Sequence, residues 1–546
     1  MRSKAVIFVC ALAWASAIGG VRAATQETDV LGRSLGTVSF PVSCKPQAAK
    51  HIERGVAAMH HMMYSSAREL FEQASKADPD CAMAPWGIAM TYIHPLWSDR
   101  PSPEVLKKGA ALAAKAAKLG GKSGRERAYI DTVKVYFVDG AANSEEERLK
   151  LFDEAWAKVV RASEGDNEAL AFHALAHLST ASPNDKTYVV QNRAAAIAQQ
   201  VLDAVPDHPG AHHYMIHAYD YPQLARRALP IAREYGKIAP DVSHALHMMS
   251  HIFTRLGLWR ESVEWNAKAA AAALKVSGEL GAVSVHYPHA LDYKGYAHLQ
   301  LAQDAEAREA LEKLAALKPP FHSINQNAMA YAFAAMPARY ALERRAWGEA
   351  ARLAPQTPRD FPWSEDQEEF VAITHFARAL GHAHEKRFDE AKAEAATLEA
   401  IGARVAKRNA YWAKQVEIER LAAQGWTAYL AGETAQGLAA MKQAADLEAT
   451  TEKSAVSPGE VLPAAELYGD MLLAEKQYGE AAAAYETALA RSPRRFNSLN
   501  GVARAHELAG DEATARRRYA ELIEMCADAP SSRDRLASAR GFLKSN

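Results

Sequence analysis

Several things are scarce in this chain of 546 residues, and each scarcity excludes something. Charge of one sign is not in excess: 64 Lys and Arg face 65 Asp and Glu, for a formal net charge of −1. A nucleic-acid binder needs a basic face to displace counterions, so that class is set aside. Long apolar runs are missing after the N-terminus, so no membrane span is expected in the rest of the chain. β-branched runs are few while Ala is abundant, a composition that favours helix. Neither a G-x-S-x-G elbow nor a phosphate-binding glycine loop nor H-E-x-x-H occurs, so no nucleotide cofactor is expected. His173-Ala-Leu-Ala-His177 has the histidine spacing of the last motif without its Glu.

Cysteine is also rare, at four residues. Cys10 lies inside the uncharged run Ala5 to Ile18, which follows Arg2 and Lys4 and precedes small residues ending at Ala23. That arrangement reads as a secretory signal over 1–23, with an uncleaved anchor as the alternative. The expected location is periplasmic or secreted, with no membrane span after cleavage. An oxidising compartment permits a disulfide, and Cys44 and Cys81 are the only remaining pair close in sequence. Two buried free thiols are the other reading, and Cys526 is left over as a core residue.

What is present is a repeat. With Pro79 placed at position 32, Gly55, Tyr64, Ala67, Phe71 and Ala74 fall at positions 8, 17, 20, 24 and 27. Tyr478, Ala481, Tyr485, Ala488 and Pro493 repeat that spacing. Pro206 and Pro240 are 34 residues apart, and Gly257, Trp259, Ser262 and Ala269 belong to the next unit. Gly295, Ala307 and Pro319 mark another, and Trp347–Ala350 and Phe388–Ala391 mark weaker ones. These offsets resemble the 34-residue tetratricopeptide (TPR) unit, a pair of antiparallel helices with small residues where they cross. The resemblance covers most of 48–530. It implies an all-α, right-handed superhelical solenoid whose concave face is lined by the first helix of each pair and binds a protein or peptide.

Proline-rich and polar stretches at 353–364 and 449–460 divide the chain in this reading. The expected parts are a leader at 24–47, an array at 48–320, divergent helical repeats at 321–450 and a C-terminal module at 455–546. The segments Cys81–Met90, His212–Asp220 and His247–Gly257 also resemble a group of exported bacterial tetratricopeptide proteins. That likeness implies an envelope location and no particular activity.

Histidines, 21 in all, concentrate between 173 and 298. In the repeat register His213 and His217 take positions 5 and 9 of the unit starting at Pro209, with Asp220 at 12. His247 and His251 take the same positions in the next unit, and His173 and His177 share the i, i+4 spacing. His289 and Asp292 follow at positions 2 and 5, with Tyr296 at 9. The resemblance places these positions, and His286 beside them, on the groove. Imidazoles one turn apart on one helix face have chelating spacing for Zn, Cu or Fe. Asp220 and Asp292 would be ligands or acceptors that orient a ring. His51, His60, His61, His322 and His506 read as packed residues, and the methionines after His61 as core rather than soft copper ligands. Three functions stay open. The first is metal binding or delivery through His173, His177, His213, His217, His247, His251 and His289. The second is a metal-free scaffold for a peptide, and the third is a metalloenzyme with Asp220 or Asp292 as base.

Overall fold

The computed structural model describes residues 34–97, 100–182, 184–323, 325–529 and 533–545. The signal expected at 1–23 lies outside them. Among the described residues the chain forms 25 α-helices and no β-strand, and an isolated bridge joins Val283 and Phe321. None of these helices is long and apolar enough to cross a membrane.

The helices come in antiparallel pairs. Pro46–His60 precedes Tyr64–Ala77, Pro209–Ala218 precedes Ala225–Ile238, and Ser243–Leu256 precedes Trp259–Leu280. The repeat positions explain the pairing. Phe71 lies against Gly55 and Gly87, where a Cβ would come within 2.7 and 2.3 Å of its ring. Tyr485 lies in the same way between Gly469 and Gly501, at 2.9 and 2.4 Å. The two sets share one spacing, sixteen residues on either side of the aromatic. Glycine is required there because only a bare backbone lets the ring lie flat at the crossing.

First helices also stack on first helices. Asn167–Leu178 packs on Pro209–Ala218, which packs on Ser243–Leu256, which packs on His286–Gln300. The series continues through Gln326–Glu343, Glu368–His384, Ala410–Leu430, Ala464–Ala474 and Phe496–Leu508. The architecture is therefore an all-α solenoid.

Three non-helical segments occupy the surface a solenoid normally leaves open. The leader at 34–43 is docked rather than loose. Leu35 and Phe40 are buried, and Phe40 stacks on Trp86 with 5.5 Å between ring centroids. Cys44, at its end, is bonded to Cys81. Residues 451–461, which take in most of the polar stretch 449–460, run into the interior. Their backbone is satisfied by buried side chains: Tyr293 donates to Ser457 O at 2.9 Å, and Arg339 donates to Gly459 O at 2.7 Å. Finally, 492–495 returns to the middle of the array. Trp259 donates its indole N–H to Arg494 O at 2.8 Å. Arg495 pairs with Glu343 and Glu466 at 2.8 and 3.1 Å, and donates to the Tyr296 hydroxyl at 2.9 Å. Tyr296 thus lies beneath this returning segment, not on an open groove.

Candidate metal centre

Three neighbouring first helices carry the cluster. Pro209–Ala218 supplies His213 and His217, Ser243–Leu256 supplies His244, His247 and His251, and His286–Gln300 supplies His286 and His289. One ring nitrogen from each of His213, His217 and His244 lies within 4.8 Å of the other two. His247, His251 and His289 form a second triad by the same measure. The triads adjoin: the rings of His217 and His251 are 5.5 Å apart between centroids, and those of His244 and His247 6.3 Å.

Hydrogen bonds fix which nitrogen carries the proton in three of the rings. His213 Nδ1 donates to the carbonyl of His60 at 2.7 Å. His251 Nδ1 donates to Asp220 Oδ2 at 2.9 Å. His247 Nδ1 donates to Asn266 Oδ1 at 2.8 Å, and the amide orientation is set because Asn266 Nδ2 donates to Ser262 O at 2.7 Å. A neutral imidazole has one proton, so in all three rings Nε2 presents a bare lone pair.

The consequence is an unusual contact. His247 Nε2 and His251 Nε2 are 3.1 Å apart, with both protons committed on the far sides of the rings. Two lone pairs at that distance repel unless a proton or cation lies between them. Nearby, His213 Nε2, His217 Nε2, His289 Nδ1 and both nitrogens of His244 are buried without a hydrogen-bond partner. Buried polar atoms are rarely left so, and a concentration of them needs an explanation. Protonation is disfavoured. Burial, reinforced by neighbouring imidazoles, holds His213, His244, His247 and His289 well below the usual histidine range. The same causes bring His217 down to about 3. Neutral imidazole is the form that binds a metal ion.

Charge surrounds the cluster without entering it. Asp220 Oδ1 accepts from Arg255 Nε at 2.9 Å, and Oδ2 accepts from Lys453 Nζ at 2.9 Å. Burial alone would raise the Asp220 carboxyl, but Lys453 and Arg255 hold it well below the ordinary value. Burial pushes the Lys453 ammonium down to about 8. Over the rings lies a cavity of about 100 Å³, bounded by His217, His244, His251 and His289 together with Trp97, Val285, Phe370 and Val456.

Other expected members are elsewhere. His173 and His177 do not join the cluster: they face the preceding helix, where both contact Asp153 at 3.3 and 3.0 Å. Burial would raise Asp153, but the hydrogen bonds from these two histidines bring it down to about 2. Asp292 orients no histidine. It pairs with Arg339 at 2.6 Å, a partner on the next first helix. His286 lies beside His244, with 5.1 Å between ring centroids, next to His322. His60, Glu168 and His208 form another buried group. It is fully satisfied, because His60 and His208 donate to Glu168 at 2.8 and 3.2 Å, Tyr214 donates to His60 Nδ1, and Ala211 N donates to His208 Nδ1. That group reads as a structural tie.

Sequence reasoning missed His244, although the register that picks His247 and His251 puts it at position 2 of the same unit. Asn266 and Lys453 carried no local signal. No protein-family model and no curated protein sequence matches the chain. Among solved structures the chain is similar to a chain of the APC/C hetero-tetramer Cut9–Hcn1, at 12% identity over 93% of this chain and 78% of that one, with a TM-score of 0.35. It is similar also to human IFIT1 in its dimer with PPP-AAAA, at 12% identity over 89% and 92%, with a TM-score of 0.36. Neither likeness bears on the histidines.

Proposed function

We propose that this protein is an exported helical-repeat protein that binds a transition-metal ion through the clustered imidazoles of His213, His217, His244, His247, His251 and His289. The observation that carries the reading is the facing pair of unprotonated Nε2 atoms, 3.1 Å apart in His247 and His251, with buried acceptors fixing both tautomers. An acceptor behind each liganding ring is how metal-binding histidines are oriented. All-imidazole donor sets suit Zn, Cu or Fe rather than Mg or Ca. Export is supported by the Cys44–Cys81 bond, which persists in oxidising compartments.

The scaffold reading, a peptide in the concave groove, is weaker. Residues 451–461 of the same chain lie over the histidines, where Ser454, Ala455 and Val456 help bound the cavity, and a peptide there would have to displace the buried Lys453–Asp220 pair. Elemental analysis of the mature protein after reconstitution with Zn(II) or Cu(II) tests the proposal. About one equivalent or more is expected of a built site. Less than about 0.1 equivalents of either metal, against that expectation, overturns it.

A further inference from the structure

We infer that the cluster is a two-ion centre, with one ion on each histidine triad, and that both ions face one shared cavity that takes a small bridging anion. The inference rests on the metal-binding reading above and adds stoichiometry and a ligand class to it.

The first argument is about donors. A single ion in a closed tetrahedral site uses four imidazoles. Six rings crowd here, and each of the two triads brings its ligand atoms within 4.8 Å of one another. In a tetrahedral shell with metal–nitrogen bonds of about 2.1 Å, neighbouring nitrogens are about 3.4 Å apart. Each triad therefore closes around its own ion by small ring movements. One ion on either triad would leave the bare nitrogens of the other buried and unpaired, His213, His217 and His244 in one case and His289 in the other.

The second argument is the chamber. Its wall includes two histidines of each triad, His217 and His244 from the first and His251 and His289 from the second. Three protein ligands leave one position open on a four-coordinate ion, and the shared cavity is where both open positions are reachable. At about 100 Å³ the cavity is far below the roughly 300–1,000 Å³ of a drug-sized ligand site. That is several times the roughly 10–15 Å³ that one water needs, so a small anion has room.

Charge then selects the ligand. Two divalent cations on six neutral rings carry four positive charges into a buried site. Asp220 is the carboxylate nearest them in the hydrogen-bond network, and it is already committed to Arg255 and Lys453. Uncompensated buried charge is expensive, so an anion of two to four atoms is favoured between the ions.

Copper(II) and sodium azide test this on the full mature chain. The expected result is about two equivalents of copper by elemental analysis, as for a two-metal site. One azide per chain should then bridge the ions and suppress most of the double-integrated EPR signal. His244→Ala and His289→Ala should each bind one copper, keep a full single-ion signal and show no loss of signal with azide. Circular dichroism of both variants establishes that they fold. If either does not, the wild-type stoichiometry and azide titration alone decide. Saturation at one copper in the wild type overturns the two-ion inference while leaving metal binding intact. Two coppers whose signal azide does not change overturn the shared chamber. No copper and no zinc overturns the proposed function itself.

Discussion

Asp220→Asn is the perturbation that separates orientation of a ligand from structural charge pairing. In the wild type three donors stand 2.9 Å from this carboxylate: His251 Nδ1 and Lys453 Nζ at Oδ2, and Arg255 Nε at Oδ1. An amide accepts through its oxygen only, so its NH₂ must oppose either Arg255 or the pair formed by Lys453 and His251. At least one charge-assisted hydrogen bond is lost, at about 1.5–3 kcal/mol. Two cations that are 3% and 4% exposed also lose their nearest counter-charge, leaving Glu452, which is 3.6 Å from Arg255. Breaking a buried pair in this way costs about 3–5 kcal/mol, and the two costs overlap rather than add. Metal binding should suffer separately. With the charged Arg255 guanidinium holding the amide oxygen, the NH₂ faces His251, and removing the acceptor behind a liganding ring weakens affinity about 10–100-fold, or roughly 1.4–2.7 kcal/mol. Denaturant unfolding of the metal-free protein measures the first effect, and competition with a chromophoric chelator the second. Adding Lys453→Met to Asp220→Asn should recover much of the stability and none of the affinity, because it removes the surplus cation but leaves His251 unoriented. An Asp220→Asn protein that is destabilised yet binds metal as tightly as the wild type would refute the assigned role of Asp220.

The other expectations are smaller. Cys44→Ser with Cys81→Ser opens a covalent loop closed over 37 residues, worth up to about 4 kcal/mol. Limited proteolysis should detect the loss as early cleavage of the N-terminal unit, with the histidine-bearing helices unaffected. Glu168→Gln places an amide opposite the N–H groups of His60 and His208 and should cost about 1–3 kcal/mol in thermal unfolding without changing the metal count. His173→Ala with His177→Ala should leave the buried ions in place by elemental analysis, because those rings contact Asp153 rather than the cluster. Glu448 gives a pH signature. Burial, with Glu460 adding to it and Arg491 opposing, raises its pKa from the ordinary 4.5 to about 7. A raised folded pKa stabilises below 4.5, and that stability is lost as pH rises through the folded value of about 7. Glu448→Gln should therefore gain stability on the wild type as pH rises from 4.5 through about 7, and the gain should vanish below pH 4.5. Each tenfold difference in proton affinity between the folded and unfolded carboxyl is worth about 1.4 kcal/mol, read from denaturant midpoints at the two ends of that range.

Much of the solenoid was legible because its determinants are local. Glycine and aromatic offsets within one unit set the helix crossing, so Gly55 and Phe71 announce the pair without any distant partner. The same register brought out His213, His217, His247, His251 and His289, since positions on first helices that stack face one side together. It failed where two helices share a spacing but not a neighbour. His173 and His177 repeat the i, i+4 pattern, yet their face turns to Asp153 on the preceding helix. Asp292 sits at a groove position but finds Arg339 on the next first helix. Asn266 looks like an ordinary helix residue until its oxygen is seen against His247. Lys453 reaches Asp220 across 233 residues of sequence, a separation no periodicity reports. The burial of residues 451–461 was not legible, because a polar segment without apolar pattern gives no sign that buried side chains elsewhere supply its hydrogen bonds.

The closed interior explains why an otherwise common architecture carries such a cluster. In an open solenoid the concave face meets water, and histidines there would be solvated, separately titrating and adaptable to a peptide. Here residues 451–461 cover much of that face. Arg495 between Glu343 and Glu466, and Lys453 with Arg255 around Asp220, lock the chain's own loops over the groove. Once the face is dry, six adjacent imidazoles are no longer a tolerable polar surface. They cannot readily be protonated, because burial disfavours the charged form. They cannot all hydrogen-bond one another either, because three have their protons drawn outward by His60 O, Asn266 and Asp220. A bound cation is the species that resolves both conditions at once, since it accepts every inward lone pair and needs no proton. On the proposed metal-binding reading, the solenoid's contribution is not a docking surface. It is a rigid stack of first helices that holds imidazoles from three repeats in register, sealed by segments from the far end of the chain.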